Sequence, residues 1–221
     1  MQFAPLYPVL YRILKPAFPL CLWSGAEDRR AVALTFDDGP HPQYTPALLE
    51  VLNHYQVRGT FFLLGDRVRR YPDLARKIAQ QGHWIGLHGY THQAFPFLSQ
   101  AALSQSLLAT QAAIAQACHI PPRQVCDVRP PNGLFTPQIL RQLRAEGYRI
   151  VMWSVVPEDW VRPGIAAVQR RVLSQLHNGA LIVLHDGSCG GQDVVQTCAA
   201  LIPQLLARHY RLVTVAQMWQ T

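Results

Sequence analysis

Short apolar runs alternate along the chain with longer segments in which apolar residues recur every three or four positions. The short runs are AVALTF at 31–36, GTFFLL at 59–64, HWIGL at 83–87, VCDV at 125–128, YRIVMWS at 148–154, ALIVL at 180–184 and YRLVTV at 210–215. Their length and their β-branched and aromatic content predict strands. The segments 46–56, 66–81, 99–118, 136–146, 165–177 and 193–208 carry the helical period between them. Gly82, Gly147 and Asn178-Gly179 supply helix stops. Regular strand–helix alternation with short connections predicts parallel strands joined by right-handed crossovers. Seven such units predict a closed or nearly closed sheet rather than an open doubly wound one.

Polar chemistry collects where these strands end. Asp37 and Asp38 follow the first run, His88 and His92 the third, Arg129 the fourth, Asp159 and Trp160 lie beyond the fifth, and His185 closes the sixth. In β/α barrels the C-terminal ends of the strands carry the active site. Asp-Gly by itself is ordinary turn chemistry, and a lone pair of histidines at i and i+4 is ordinarily a surface pair. A carboxylate joined to two histidines, however, is a common open ligand set for a catalytic zinc, with a position left for water. The second aspartate is then free to serve as base.

Composition narrows the remaining classes. The 221 residues are 49% hydrophobic and only 15% charged, against about 25% charged in a typical domain, which indicates one compact domain and excludes disorder. The net charge of +7 is compatible with a nucleic-acid binder. The basic residues are scattered over Arg67, Arg69, Arg70, Arg76 and Lys77 and over Arg141 and Arg144, without interleaved stacking aromatics, so no nucleic-acid partner is expected. Five cysteines form no CxxC pair and predict buried free thiols, with a Cys189–Cys198 disulfide left open. Residues 1–25 form an apolar segment in which Pro5, Pro8, Pro16 and Pro19 are expected to break any continuous helix. It lacks the ~20 uninterrupted apolar residues of a membrane span and the layout of a signal peptide. It is expected to pack on the domain at 26–221 or to touch a membrane or cell-wall surface peripherally. The compartment, envelope-associated or cytoplasmic, and the oligomeric state are left open.

In order, TFDDGP at 35–40, HGYTH at 88–92, RPPNG at 129–133, EDW at 158–160 and IVLHD at 182–186 resemble the motifs of the polysaccharide deacetylases, the NodB-homology domains of carbohydrate esterase family 4. The resemblance runs from about residue 31 to 215. It implies an α/β fold, a distorted (β/α)7 barrel, and removal of N-acetyl or sometimes O-acetyl groups from glycans such as peptidoglycan or chitin-like oligosaccharides with one divalent metal. Asp38, His88 and His92 match the family's metal ligands, with zinc named first and cobalt, nickel or manganese compatible. Asp37 matches the base, Arg129 the arginine that orients it, and His185 the acid that protonates the departing amine. The backbone N–H of Asn132 matches the oxyanion donor. Asp159, Trp160 and Val183 are assigned to the substrate side, Trp160 and Val183 as an apolar wall for the acetyl methyl.

Three positions depart from the pattern. Gly89 stands where a Ser or Thr is common, Asn132 where an aromatic is usual, and Val156 where an acid often tunes the catalytic histidine, a role for which Asp159 or Glu158 could substitute. His83 is given a supporting role at most. The rivals are a hydrolase of another amide, such as a cyclic imide, ureide or formyl-sugar, and a catalytically silent glycan-binding module.

Overall fold

The computed structural model describes residues 4–220. Seven parallel strands, β1 (Ala31–Asp37), β2 (Thr60–Leu63), β3 (Trp84–Leu87), β4 (Asp127–Val128), β5 (Arg149–Ile150), β6 (Ala180–His185) and β7 (Arg211–Leu212), form one sheet. Its order is β5-β4-β3-β2-β1-β6, with β7 pairing the first two residues of β1. The helices are α1 (Tyr7–Ala17), α2 (Tyr44–His54), α3 (Gly65–Arg70), α4 (Pro72–Gln80), α5 (Gln100–Cys118), α6 (Pro137–Ala145), α7 (Ile165–Gln175), α8 (Gly191–Ala207) and α9 (Val215–Met218).

The two outer strands are brought together without a regular ladder. Beyond β5 the chain meets β6 in a single parallel bridge, Val155 to Ile182. Lower down, Leu22 bridges Val151 and Ser24 bridges Ala180, so residues 22–24 occupy the gap between β5 and β6. This is the nearly closed barrel that the seven units predict. Parallel strands covered on both faces must be apolar on both, which is why β1 and β2 read as continuous apolar runs. Phe61 joins the large core under the helices, while its neighbour Phe62 joins Ala33, Val151, Leu181 and Met218 in a second, smaller cluster. That alternation is the strand's period of two.

The structure differs from the sequence expectation in several respects, and the strands expected over 125–128 and 148–154 shrink to the two-residue β4 and β5. The helix expected over 66–81 is two helices, because Pro72 at the start of α4 holds Tyr71 out of the helical region at φ −133°. The expected absence of a continuous N-terminal helix is overturned by α1, eleven residues long. Pro8 falls in its first turn, where a missing N–H breaks no helical bond, and Pro16 is accommodated in its last turn, one residue before the helix ends. The strand expected over 210–215 shortens, since Thr214 caps α9 in a capping box with Gln217. All five cysteines are free, and Cys189 is exposed rather than buried. No described helix is long and apolar enough to cross a membrane.

Candidate active site

β1 delivers its last residue, Asp37, 3% exposed and level with Phe62 of β2 and His185 of β6. Arg129, the residue after β4, lies almost wholly buried with its guanidinium 4.1 Å from the centre of the Phe62 ring. Its Nη1 donates to Asp37 Oδ1 at 2.8 Å and to Thr35 Oγ1 at 2.7 Å, and its Nη2 donates to the Met152 carbonyl at 2.8 Å. Burial alone would raise the Asp37 carboxyl, but the guanidinium, then His88 and His185, outweigh it and hold the pKa below the ordinary range.

Asp38 follows in the left-handed region at φ 73°. Its Oδ1 is buried, accepts no hydrogen bond, and faces His88 Nε2 at 3.4 Å and His92 Nε2 at 3.3 Å. His88 Nδ1 lies 2.7 Å from the Arg129 carbonyl; a carbonyl only accepts, so Nδ1 carries the proton and Nε2 keeps its lone pair. Burial lowers the His88 pKa against the pull of Asp37 and Asp38, so the ring is neutral near pH 7. An orphaned carboxylate oxygen facing two imidazole nitrogens, one tautomer fixed from behind, fits a metal ion, and the three ligand atoms lie within 4.8 Å of one another. His88 and His92 sit in a loop rather than on a helix. Gly89 between them has φ +86°, and a Cβ there would stand 3.1 Å from the Thr91 carbonyl oxygen. Glycine in place of Ser or Thr suits this turn.

On the opposite flank, one carboxylate engages His185 at two nitrogens. Asp159 Oδ2 accepts the backbone N–H at 2.8 Å, and Oδ1 lies 2.8 Å from Nδ1. Burial would lower the His185 pKa, but Asp159, helped by Asp38 and Asp37, overrides it and raises the value to about 9. Asp159 therefore belongs to the histidine and does not line the cleft, a correction to its placement on the substrate side. The acid in contact with the His185 ring is Asp159, not a residue at position 156. Glu158 turns away and accepts the Ala4 N–H at 2.8 Å. Beneath the turn after Asp38, burial pushes the Asp186 carboxyl up to about 7 although the Thr45 hydroxyl donates to it.

These groups surround one open cleft of about 460 Å³. Asp37, Asp38, His88, His92, Arg129, Asn132, Trp160, Val183 and His185 all line it. Asn132 lies there at φ 58°, a left-handed conformation that asparagine tolerates better than an aromatic residue. His83 lies apart: its Nδ1 accepts the Gly59 N–H at 3.1 Å, and burial with Arg58 nearby lowers its pKa to about 4. The cleft also contains residues that the sequence did not point to, Tyr7, Arg67 and Trp153 among them. Strand alternation offered a signal for Trp153; none existed for Tyr7, which precedes every motif.

A parallel α/β barrel with an Asp-His-His cluster and two carboxylate-held groups at its C-terminal strand ends defines the class by geometry. The chain belongs to the polysaccharide deacetylase family, whose model matches residues 24–151. It is thereby placed among metal-dependent enzymes that hydrolyse amide bonds in glycans. It is 32% identical over 198 residues to a peptidoglycan-N-acetylglucosamine deacetylase of Bacillus cereus, covering 89% of this chain and 91% of that one. It is 37% identical over 183 residues to a chitooligosaccharide deacetylase of Sinorhizobium fredii, covering 83% and 84%. Among solved structures, a peptidoglycan N-acetylglucosamine deacetylase in complex with 4-naphthalen-1-yl-N-oxidanyl-benzamide superposes with a TM-score of 0.86 at 30% identity, over 91% of this chain and 94% of that one.

Proposed function

We propose that this chain removes the N-acetyl group from an amino sugar of a glycan, of the peptidoglycan or chito-oligosaccharide type. The observation that carries this reading is the convergence on one cleft of an arginine-held carboxylate, an Asp-His-His cluster and a carboxylate-held histidine.

Asp38, His88 and His92 would hold one divalent ion, zinc first by its preference for nitrogen and oxygen ligands, with cobalt, nickel or manganese acceptable. When bound, such an ion polarises the acetamide carbonyl and lowers the pKa of water. Asp37 acts as general base. Arg129 occupies Oδ1 and keeps the carboxylate ionised, so Oδ2, 3.9 Å from His88 Nε2, takes the proton of the attacking water. The Asn132 backbone N–H donates to the acetyl oxygen as negative charge develops there. His185, its Nδ1 engaged by Asp159, presents Nε2 to the cleft; at neutral pH that nitrogen carries a proton and gives it to the amine as the C–N bond breaks. Trp160 and Val183 form the apolar wall beside the acetyl methyl.

The exposed row of Leu6, just ahead of α1, and Val9, Leu10 and Ile13 along it, on a chain of net charge +7, supports a peripheral contact with an anionic envelope surface.

Metal-reconstituted protein incubated with N-acetylated chito-oligosaccharides and peptidoglycan fragments should release acetate and leave free amines. A fully metallated protein that releases none from either substrate would overturn the proposal.

A further inference from the structure

The N-terminal helix reaches the cleft. Tyr7, the first residue of α1, lines it with its ring edge-on to Trp153 at 5.4 Å and to Trp160 at 6.3 Å between centroids. Trp160 in turn stands edge-on to His185 at 5.1 Å. Three aromatic rings, one from α1 and two from the stretch that follows β5, thus form one continuous wall ending at the histidine.

Both ends of the helix are tied down. Ahead of it, the Ala4 N–H donates to the buried Glu158 carboxylate, which sits in the sequence next to Asp159 and Trp160. Near its end, Lys15 Nζ donates to Ser24 Oγ and Glu27 Oε1, both at 2.9 Å. Phe18 packs edge-on to Phe135 at 5.0 Å. The residues that follow run into the barrel seam, with Trp23 only 1% exposed. A wall held in this way is pre-organised, and it binds without first having to order a loop. Tyr7 and the rest of α1 lie ahead of the matched family region, which begins at residue 24. The wall also stands beside the loop where Asn132 replaces the usual aromatic, since Trp153 packs against Gly133.

We propose that Tyr7 is a substrate-contacting specificity residue: α1 supplies one wall of the glycan site, and the Tyr7 ring packs on a pyranose of the bound oligosaccharide. The chemistry suits this ligand. A pyranose offers an apolar C–H face to an aromatic ring and hydroxyls to a phenol, and tyrosine presents both kinds of surface. The inference rests on the glycan reading above for its ligand, while the placement of Tyr7 in the cleft does not depend on turnover.

The test compares the parent with Tyr7→Ala, Tyr7→Phe and Leu14→Ala, the last altering an α1 residue that packs on the core without lining the cleft. Kinetics on an N-acetylated chito-oligosaccharide are set beside phenyl acetate, which has no sugar, and calorimetry measures binding of the same oligosaccharide. Tyr7→Ala should raise KM and Kd for the oligosaccharide about tenfold or more with kcat little changed. It should leave phenyl acetate hydrolysis within about twofold; Tyr7→Phe should retain most of the binding, and Leu14→Ala all of it. Oligosaccharide binding that does not depend on Tyr7 overturns the inference and leaves the deacetylase reading standing. Binding that depends on Tyr7 in a protein that releases no acetate does the reverse. A parent that neither binds nor turns over the oligosaccharide overturns both.

Discussion

Asp159 accepts the backbone N–H of His185 through one carboxylate oxygen and lies 2.8 Å from Nδ1 of the same residue through the other. The double contact fixes both the position and the ring orientation of the histidine, and it favours the imidazolium. His185 therefore remains protonated through neutral pH, with its pKa raised to about 9. His185 can act as the acid only as the imidazolium, so kcat on an amide should fall as pH rises through that value. Asp159→Asn removes the charge that outweighs burial. Its alkaline limb should move down by roughly one pH unit or more, measurable in a kcat–pH profile.

The same shift is linked to stability. A histidine whose folded pKa lies above its unfolded value, ordinarily about 6.5, contributes stability that is complete below the lower value and lost as pH rises through the higher one. The melting temperature of the parent should exceed that of Asp159→Asn by more at pH 6 than at pH 10. Equal differences at both would show that the pair does not hold the proton.

Adjacent acids with different partners should fail differently when neutralised. Asp37→Asn leaves the Asp-His-His cluster intact and removes the proton acceptor, so metal content should persist while turnover falls by at least about 10²–10⁴-fold. Asp38→Asn should lose metal, as should His92→Ala. Elemental analysis of the purified variants, read beside acetate release, distinguishes the two aspartates; the reverse pattern would exchange their roles.

Arg129→Met strands the Asp37 carboxylate in the barrel interior. Breaking a buried pair from one side typically costs ~3–5 kcal/mol, and the melting temperature should fall accordingly. The guanidinium counters the rise that burial would impose on Asp37, so the carboxyl pKa should climb and the acidic limb of kcat/KM should move to higher pH. The stability that a depressed carboxylate pKa provides exists above its unfolded value and disappears as pH falls through its folded one. The variant should therefore be most destabilised, relative to the parent, near neutral pH and least so in strong acid.

The leaving group decides how much His185 matters. His185→Ala should impair release of an amine, which needs a proton, far more than release of a phenolate from phenyl acetate. Equal losses on both substrates would remove His185 from the acid role. Trp160→Ala, by shortening the apolar wall, should relax the preference for acetyl over propionyl and butyryl amides.

Several features missed from the sequence were nevertheless written in it. Pro72 marks the break between α3 and α4, and Thr214 with Gln217 spells the capping box that starts α9. Pro8 is compatible with α1 once it is placed in the first turn. These are local rules whose effect depends on where in the element the residue stands. The division of labour between Glu158 and Asp159 is different in kind. Glu158 sits in the left-handed region at φ 56°, and the short turn that follows sends the two neighbouring carboxylates to different partners, Ala4 and His185. No periodicity in EDW contains that divergence.

By itself the sequence determined the seven strands, their parallel order of alternation with helices, and the set of residues at the strand ends. All of these follow from short-range periods that each segment must satisfy wherever it lies. The tertiary structure decided which acid holds His185, how the barrel closes and that Tyr7 walls the cleft. Those outcomes depend on the seam between β5 and β6, which is joined by isolated bridges and by residues 22–24 rather than by a regular ladder. Contacts made across such a seam pair residues remote in sequence and leave no repeating pattern along the chain. Packing alone specifies them.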